Sequence, residues 1–146
     1  MSRIRVSVLI DAPPRRVWAA VEDIGSHVEW MQDAAAIRFT SRRRSGVGTT
    51  FECLTRVGPF RLTDKMVVTE WKAGRAMGIR HTGVVAGTGR FTLRRRLRGG
   101  TRFTWEETLV FPWWMGGELG ALAGAPVLRR IWRHNLASLK RRVEAG

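Results

Sequence analysis

The feature that most constrains this chain is a change of period. Between residues 36 and 111, apolar and polar residues alternate in short runs that glycines interrupt. Further on, Leu128, Trp132, Leu136, Leu139 and Val143 recur at steps of three and four. Alternation marks half-buried strands, and the longer spacing marks one face of a helix. A chain with this order folds a run of antiparallel strands against a long amphipathic C-terminal helix. Arg129, Arg130, Arg133, Lys140 and Arg141 make the helix's polar back.

The remaining elements follow from punctuation. Ile4, Val6, Val8 and Ile10 alternate with Arg3, Arg5, Ser7 and Leu9, which predicts a first strand. Pro13-Pro14 opens a short helix with Val17, Trp18, Val21 and Ile24 on one face, ending near Gly25. Ser26 is placed to cap a second short turn through Met31. Strands are expected over 36–44, 49–57, 60–71, 75–82, 90–97 and 101–111. Turns at Gly46-Val47-Gly48, Gly58-Pro59, Lys72-Ala73-Gly74 and Arg98-Gly99-Gly100 separate them. The expected class is α+β: seven antiparallel strands, two short helices after the first, and a long last helix. The 146 residues fit a single domain, 1–146, able to bury roughly 70% of the unfolded surface.

Composition narrows the chemistry. Hydrophobic residues are 44% and charged residues 26% of the chain, which excludes disorder. The single cysteine, Cys53, permits no internal disulfide and no thiolate cluster. The start, Met1 to Arg5, lacks an apolar signal core, so a reduced, cytoplasmic setting is expected. No phosphate loop, zinc spacing or nucleophile elbow is present, and His27, His81 and His134 lie far apart. Neither a metal nor a cofactor is expected.

The net charge of +14 is carried almost wholly by arginine. It suits anionic partners, such as nucleic acid, anionic lipid or acidic ligands, or simply a solvated surface. The densest runs are Arg42-Arg43-Arg44 and Arg94-Arg95-Arg96-Leu97-Arg98. Strand residues alternate, so neither run presents all its charges on one face, and no interleaved exposed aromatics are evident. Nucleic acid is therefore not the expected partner.

Alternation also selects candidates for chemistry. Glu107 falls on the inward face with Phe103, Trp105 and Leu109, and Arg95 falls inward with Phe91, Leu93 and Leu97. An inward carboxylate can act as a general acid or base, with Arg95 stabilising an enolate. The alternatives are an Arg95–Glu107 ion pair that satisfies both, or a register that puts one of the two outside. Asp64 is a second carboxylate candidate. His81, near a strand end, reaches either a cavity mouth or solvent. Cys53 reads as a small buried hydrophobe.

The whole chain resembles the START-like superfamily, known as SRPBCC, which includes the birch pollen allergen and the polyketide cyclase/dehydrase group. The likeness rests on Ile10-Asp11-Ala12-Pro13 with Val17-Trp18, Trp30, Gly46-Val47-Gly48-Thr49 and Val68-Thr69-Glu70-Trp71. It continues in Thr101-Arg102-Phe103-Thr104-Trp105-Glu106 and Leu139-Lys140-Arg141-Arg142-Val143-Glu144. The resemblance implies a helix-grip fold whose sheet encloses a cavity for lipids, sterols or polyketide-like molecules. It implies little about chemistry.

Ligand contacts are then expected from Trp30 and from the inward faces at Phe91, Leu93, Phe103, Trp105 and Leu109. The nearly uncharged segment 111–126 would add a portal of Trp113, Trp114, Leu119, Leu122 and Ala123. Two prolines, four glycines and Glu118 argue against a membrane span there. Gly116, Gly120 and Gly124 would form one smooth helix face that admits a backbone or a ligand. The two tryptophans serve as a gate, as interfacial anchors or as core packing. The leading expectation is a binder of a small hydrophobic molecule. The alternatives are a cyclase or dehydratase using Glu107, and a peripheral module docking on anionic membranes.

Overall fold

The computed structural model describes residues 2–146; Met1, part of the N-terminal stretch read above, lies outside them. Strand β1 (Ser2–Ile10) leads into α1 (Pro14–Val21) and a 3-10 turn (Ile24–Glu29). Six strands follow: β2 (Ala34–Phe39), β3 (Thr50–Val57), β4 (Phe60–Lys72), β5 (Ala76–Thr82), β6 (Ala86–Arg95) and β7 (Thr101–Val110). A second 3-10 turn (Trp113–Met115) precedes α2 (Gly117–Ala145).

The sheet is antiparallel throughout, in the order β1-β7-β6-β5-β4-β3-β2. Short turns make β2 to β7 a meander, and β1 closes on the last strand. The sheet stays open and grips α2, which is the helix-grip fold.

The grip is one-sided. Of the strands, α2 approaches mainly β1 and β7. Trp132, Leu136, Leu139 and Val143 are buried there with Ile4, Val6, Ile10 and Phe103. Trp132 lies flat on Trp105 of β7, with ring centroids 4.5 Å apart and planes 13° off parallel. Polar clips hold the end of the helix. Lys140 Nζ donates to the Leu9 carbonyl at 2.9 Å, and the Asp11 N–H donates to Glu144 at 2.7 Å.

Several boundaries differ from the sequence expectation. Strand β6 starts at Ala86, four residues early, because Gly87 and Gly89 carry no side chains to show alternation. Strand β2 stops at Phe39, leaving Arg42, Arg43 and Arg44 in a loop. Helix α1 stops at Val21, and the next turn starts at Ile24 rather than at Ser26; the Ser26 hydroxyl donates to the Asp23 carbonyl instead. Leu97 lies in the β6–β7 turn, fully exposed. Helix α2 begins eleven residues before its apolar stripe and includes Pro126.

Leu139 is wholly buried between α2 and the sheet. Leu139→Ala is expected to lower the unfolding free energy by about 2–5 kcal/mol. Leu97→Ala is expected to change it by less than about 0.5 kcal/mol. Urea denaturation of both variants checks the grip.

Candidate functional site

Because α2 leans on β1 and β7, the middle of the sheet faces empty space. A cavity of about 800 Å³ fills it. Phe91, Trp105 and Leu109 form one wall, Phe51, Cys53, Leu62 and Met66 another, and Ala123, Leu128 and Trp132 the helix side. Phe60, Trp114 and Val127 line the cavity yet are half or more exposed, so they mark its mouth. The mouth therefore lies between the β3–β4 turn and the first turns of α2.

The lining is mainly apolar, but β4, β5 and β7 bring polar side chains into one line. His81 of β5 is bonded on both ring nitrogens. Its Nδ1 pairs with Asp64 of β4 at 3.0 Å, and its Nε2 pairs with Glu107 of β7. The second Glu107 oxygen accepts from Trp105 Nε1 at 3.0 Å. Strand β6 runs between β5 and β7, and should separate His81 from Glu107. It does not, because Gly87 stands opposite His81 and Gly89 opposite Glu107. A Cβ on Gly89 would sit 2.7 Å from Glu107 Oε1. Gly89 is the window through which the side chains meet, and the bare Gly87 lets β6 lie close against the Thr108 backbone.

Burial pulls the His81 pKa down, but its hydrogen bonds to Asp64 and Glu107 outweigh burial and carry it up to about 10. The ring is thus an imidazolium at neutral pH. The three side chains spend their facing atoms on one another. Among the described residues no group of three such side chains is arranged to hold a metal ion.

Two further polar groups line the cavity. Burial raises the Asp33 pKa, against hydrogen bonds from Asn135 (2.7 Å) and Trp132 (3.2 Å) on α2. His27 is buried, donates through Nε2 to the Val21 carbonyl at 2.7 Å, and has its pKa pushed down to about 4 by that burial. Burial likewise pushes the Cys53 thiol up to about 11, so it stays a thiol.

The structure brings some of the expected residues together and separates others. Glu107 and Asp64 meet at the cavity, joined by His81. Arg95 does not join them, a correction to the alternation reading. It pairs with Thr101 at the end of β6, six positions along the strand from Gly89, and is exposed. Alternation fails there because the strand ends. Phe91, Trp105, Leu109, Trp114 and Ala123 line the cavity. Trp30, Leu93 and Phe103 are packed behind its wall rather than on it, with Trp30 against the rings of His27, Phe91 and Trp105. Trp113, Leu119 and Leu122 point to solvent outside the lining. The glycine face of α2 receives the chain itself: a Cβ on Gly120 would lie 2.1 Å from the Met115 carbonyl oxygen, and one on Gly124 would lie 3.8 Å from the Phe111 ring.

His27, Asp33, Gly87 and Gly89 escaped the sequence reading. The Gly87-Thr88-Gly89 pair was the available signal, since glycines inside a strand mark a close approach.

The family described as polyketide cyclase/dehydrase and lipid transport matches residues 1–144. The chain belongs to this family. Solved structures share the family fold at low identity. A Thermus thermophilus protein superposes with a TM-score of 0.81 at 17% identity, covering 99% of this chain and 98% of its own. The Zhui aromatase/cyclase from Streptomyces sp. R1128 gives 0.78 at 14%, covering 98% and 93%. The di-domain ARO/CYC BexL from the BE-7585A biosynthetic pathway gives 0.78 at 19%, with 99% of this chain spanning 50% of that one. Such identities speak for the fold alone. No curated protein matches the chain significantly. No described helix is long and apolar enough to cross a membrane.

The His81 pKa of about 10 lies above the ordinary 6.5 of an unfolded histidine. Its contribution to stability is therefore complete below about 6.5 and lost as pH rises to about 10. His27 acts in the other window, its contribution growing from about 4 to 6.5. The melting temperature is expected to fall from about pH 6.5 to about pH 10, and His81→Gln to flatten that fall. In Gly89→Ala, NMR titration is expected to move the His81 midpoint back toward 6.5, because the added methyl displaces Glu107.

Proposed function

We propose that this chain binds a small hydrophobic molecule, a lipid, sterol or polyketide-like compound, in the cavity between sheet and α2. The observation that carries the reading is a cavity of about 800 Å³ with an apolar lining and a mouth of exposed apolar side chains. Concave apolar sites with a few placed polar groups are the usual form of a small-molecule site. Asp33 and Glu107, whose carboxyl oxygens keep accepting capacity, would orient the polar end of such a ligand, and Phe91, Trp105 and Leu109 its apolar body. Family membership and the aromatase/cyclase neighbours agree with this reading.

The test is uptake of an apolar fluorescent probe, with native mass spectrometry of copurified material. Ala123→Trp and Val127→Trp would fill the mouth and are expected to weaken uptake at least tenfold. Full uptake in both variants, or none in the unaltered protein, overturns the reading.

A second reading, a dehydrating cyclase, has one observation in its favour: His81 stands between two carboxyl groups on the cavity wall. Glu107 would take a proton from a carbon beside a carbonyl. His81 would give its proton to the departing hydroxyl, which leaves as water. The Glu107 proton would then restore His81 across their hydrogen bond. Arg95 has no part in this scheme, being outside the cavity. Glu107→Gln and His81→Gln are expected to lower kcat by about 10²–10⁴ while probe uptake persists. Unchanged turnover in either variant excludes the scheme.

A further inference from the structure

The outer face of β1, β7 and β6 carries a charge pattern that the cavity does not use. Outward positions on adjacent strands form rows across the sheet. Arg94 stands directly opposite Arg102, Thr92 opposite Thr104, and Arg90 opposite Glu106. Eight arginines line the resulting shallow groove of about 760 Å³, against one carboxylate, Glu106. Glu106 is occupied by Arg3 at 2.7 Å and Arg5 at 3.8 Å, and Arg90 is bonded to Glu70 at 2.7 Å. Among the described residues, Arg94, Arg95, Arg96, Arg98 and Arg102 have no ion-pair partner.

We propose that this face binds the phosphate backbone of duplex nucleic acid without reading its bases. Like charges directly opposed across a sheet are destabilising. The Arg94–Arg102 pair is nonetheless kept with no carboxylate beside it, and a bound polyanion would remove that cost. Guanidinium forks match phosphate oxygens in pairs. The opposed hydroxyls of Thr92 and Thr104 make no hydrogen bond with described residues and add donors between the arginine rows. Strand geometry sets Arg94 and Arg102 about 5 Å apart across the sheet, with the Thr92 and Thr104 hydroxyls about 7 Å further along. Only a densely charged partner meets that spacing, and duplex nucleic acid carries one charge per about 1.7 Å. No aromatic side chain lines the groove, so base stacking is unsupported and recognition rests on the backbone.

A bilayer fits this face poorly. The exposed apolar residues Trp113 and Trp114 follow the far end of β7, and Arg102 to Val110 spans about 26 Å of strand. One flat membrane would not meet both patches.

The test is fluorescence anisotropy of a short mixed-sequence duplex across a salt series, with phosphatidylserine vesicles and polyglutamate as separate arms. With the five unpaired arginines engaged, log K is expected to fall against log salt with a slope of about −4.5. Arg94→Glu/Arg102→Glu is expected to weaken binding at least tenfold and to make the slope shallower by about two. Arg130→Glu/Arg133→Glu, an equal charge change on α2, is expected to leave it within twofold. Apolar-probe uptake in each variant verifies folding and reads the cavity separately. The proposal is overturned by absence of duplex binding at low salt, or by equal loss in both double variants. It is also overturned if vesicles or polyglutamate bind through the same arginines as tightly as the duplex.

Discussion

Trp132 lying on Trp105 decides where α2 goes, and the rest of the architecture follows from that contact. The stacked pair fixes the helix over β7 and β1. Asp33 accepts from the Trp132 indole and from Asn135 one turn on, which fastens the same stretch of helix to the chain before β2. Seven strands are wider than one helix, so a helix held at one side leaves the other side uncovered. The cavity is the space that remains, and its mouth lies where α2 first departs from the sheet.

Inside that space the polar cluster runs against the ordinary cost of burying charge. Isolated buried charges are expensive, and paired ones are tolerated when their remaining hydrogen bonds are met. His81, Asp64, Glu107 and Trp105 meet most of those demands among themselves. The arrangement needs an absence as much as a presence. A side chain at Gly89 would collide with the Glu107 carboxyl and part it from His81, and one at Gly87 would strike the Thr108 carbonyl of β7.

Much of the fold was legible because it is periodic. The stripe from Trp132 to Val143 and the alternation in β1 and β7 each bury the predicted face. The candidate site was legible only in part. Glu107 was placed inward by alternation, and it is inward. Its partner was misread, because alternation assigns a face and not a neighbour. The hairpin turn assigns the neighbour: with Arg95 opposite Thr101, Glu107 must stand opposite Gly89. Alternation alone leaves His81 between cavity and solvent, because its surroundings come from β4 and β7, distant in sequence. Strand-by-strand alternation does not show that Arg3, Arg94 and Arg102 add up across three strands.

The sequence by itself determined which segments are strands and helices and which faces they bury, since both depend on local spacing of apolar residues. It also determined the excess of arginine and the family. Only the tertiary structure decided that α2 covers half the sheet, that His81 bridges two carboxyl groups, and that five arginines gather around the outer groove with no ion-pair partner among the described residues. Those outcomes depend on register between strands and on the seating of one ring against another. Such contacts join residues far apart in the chain, and no local spacing encodes them.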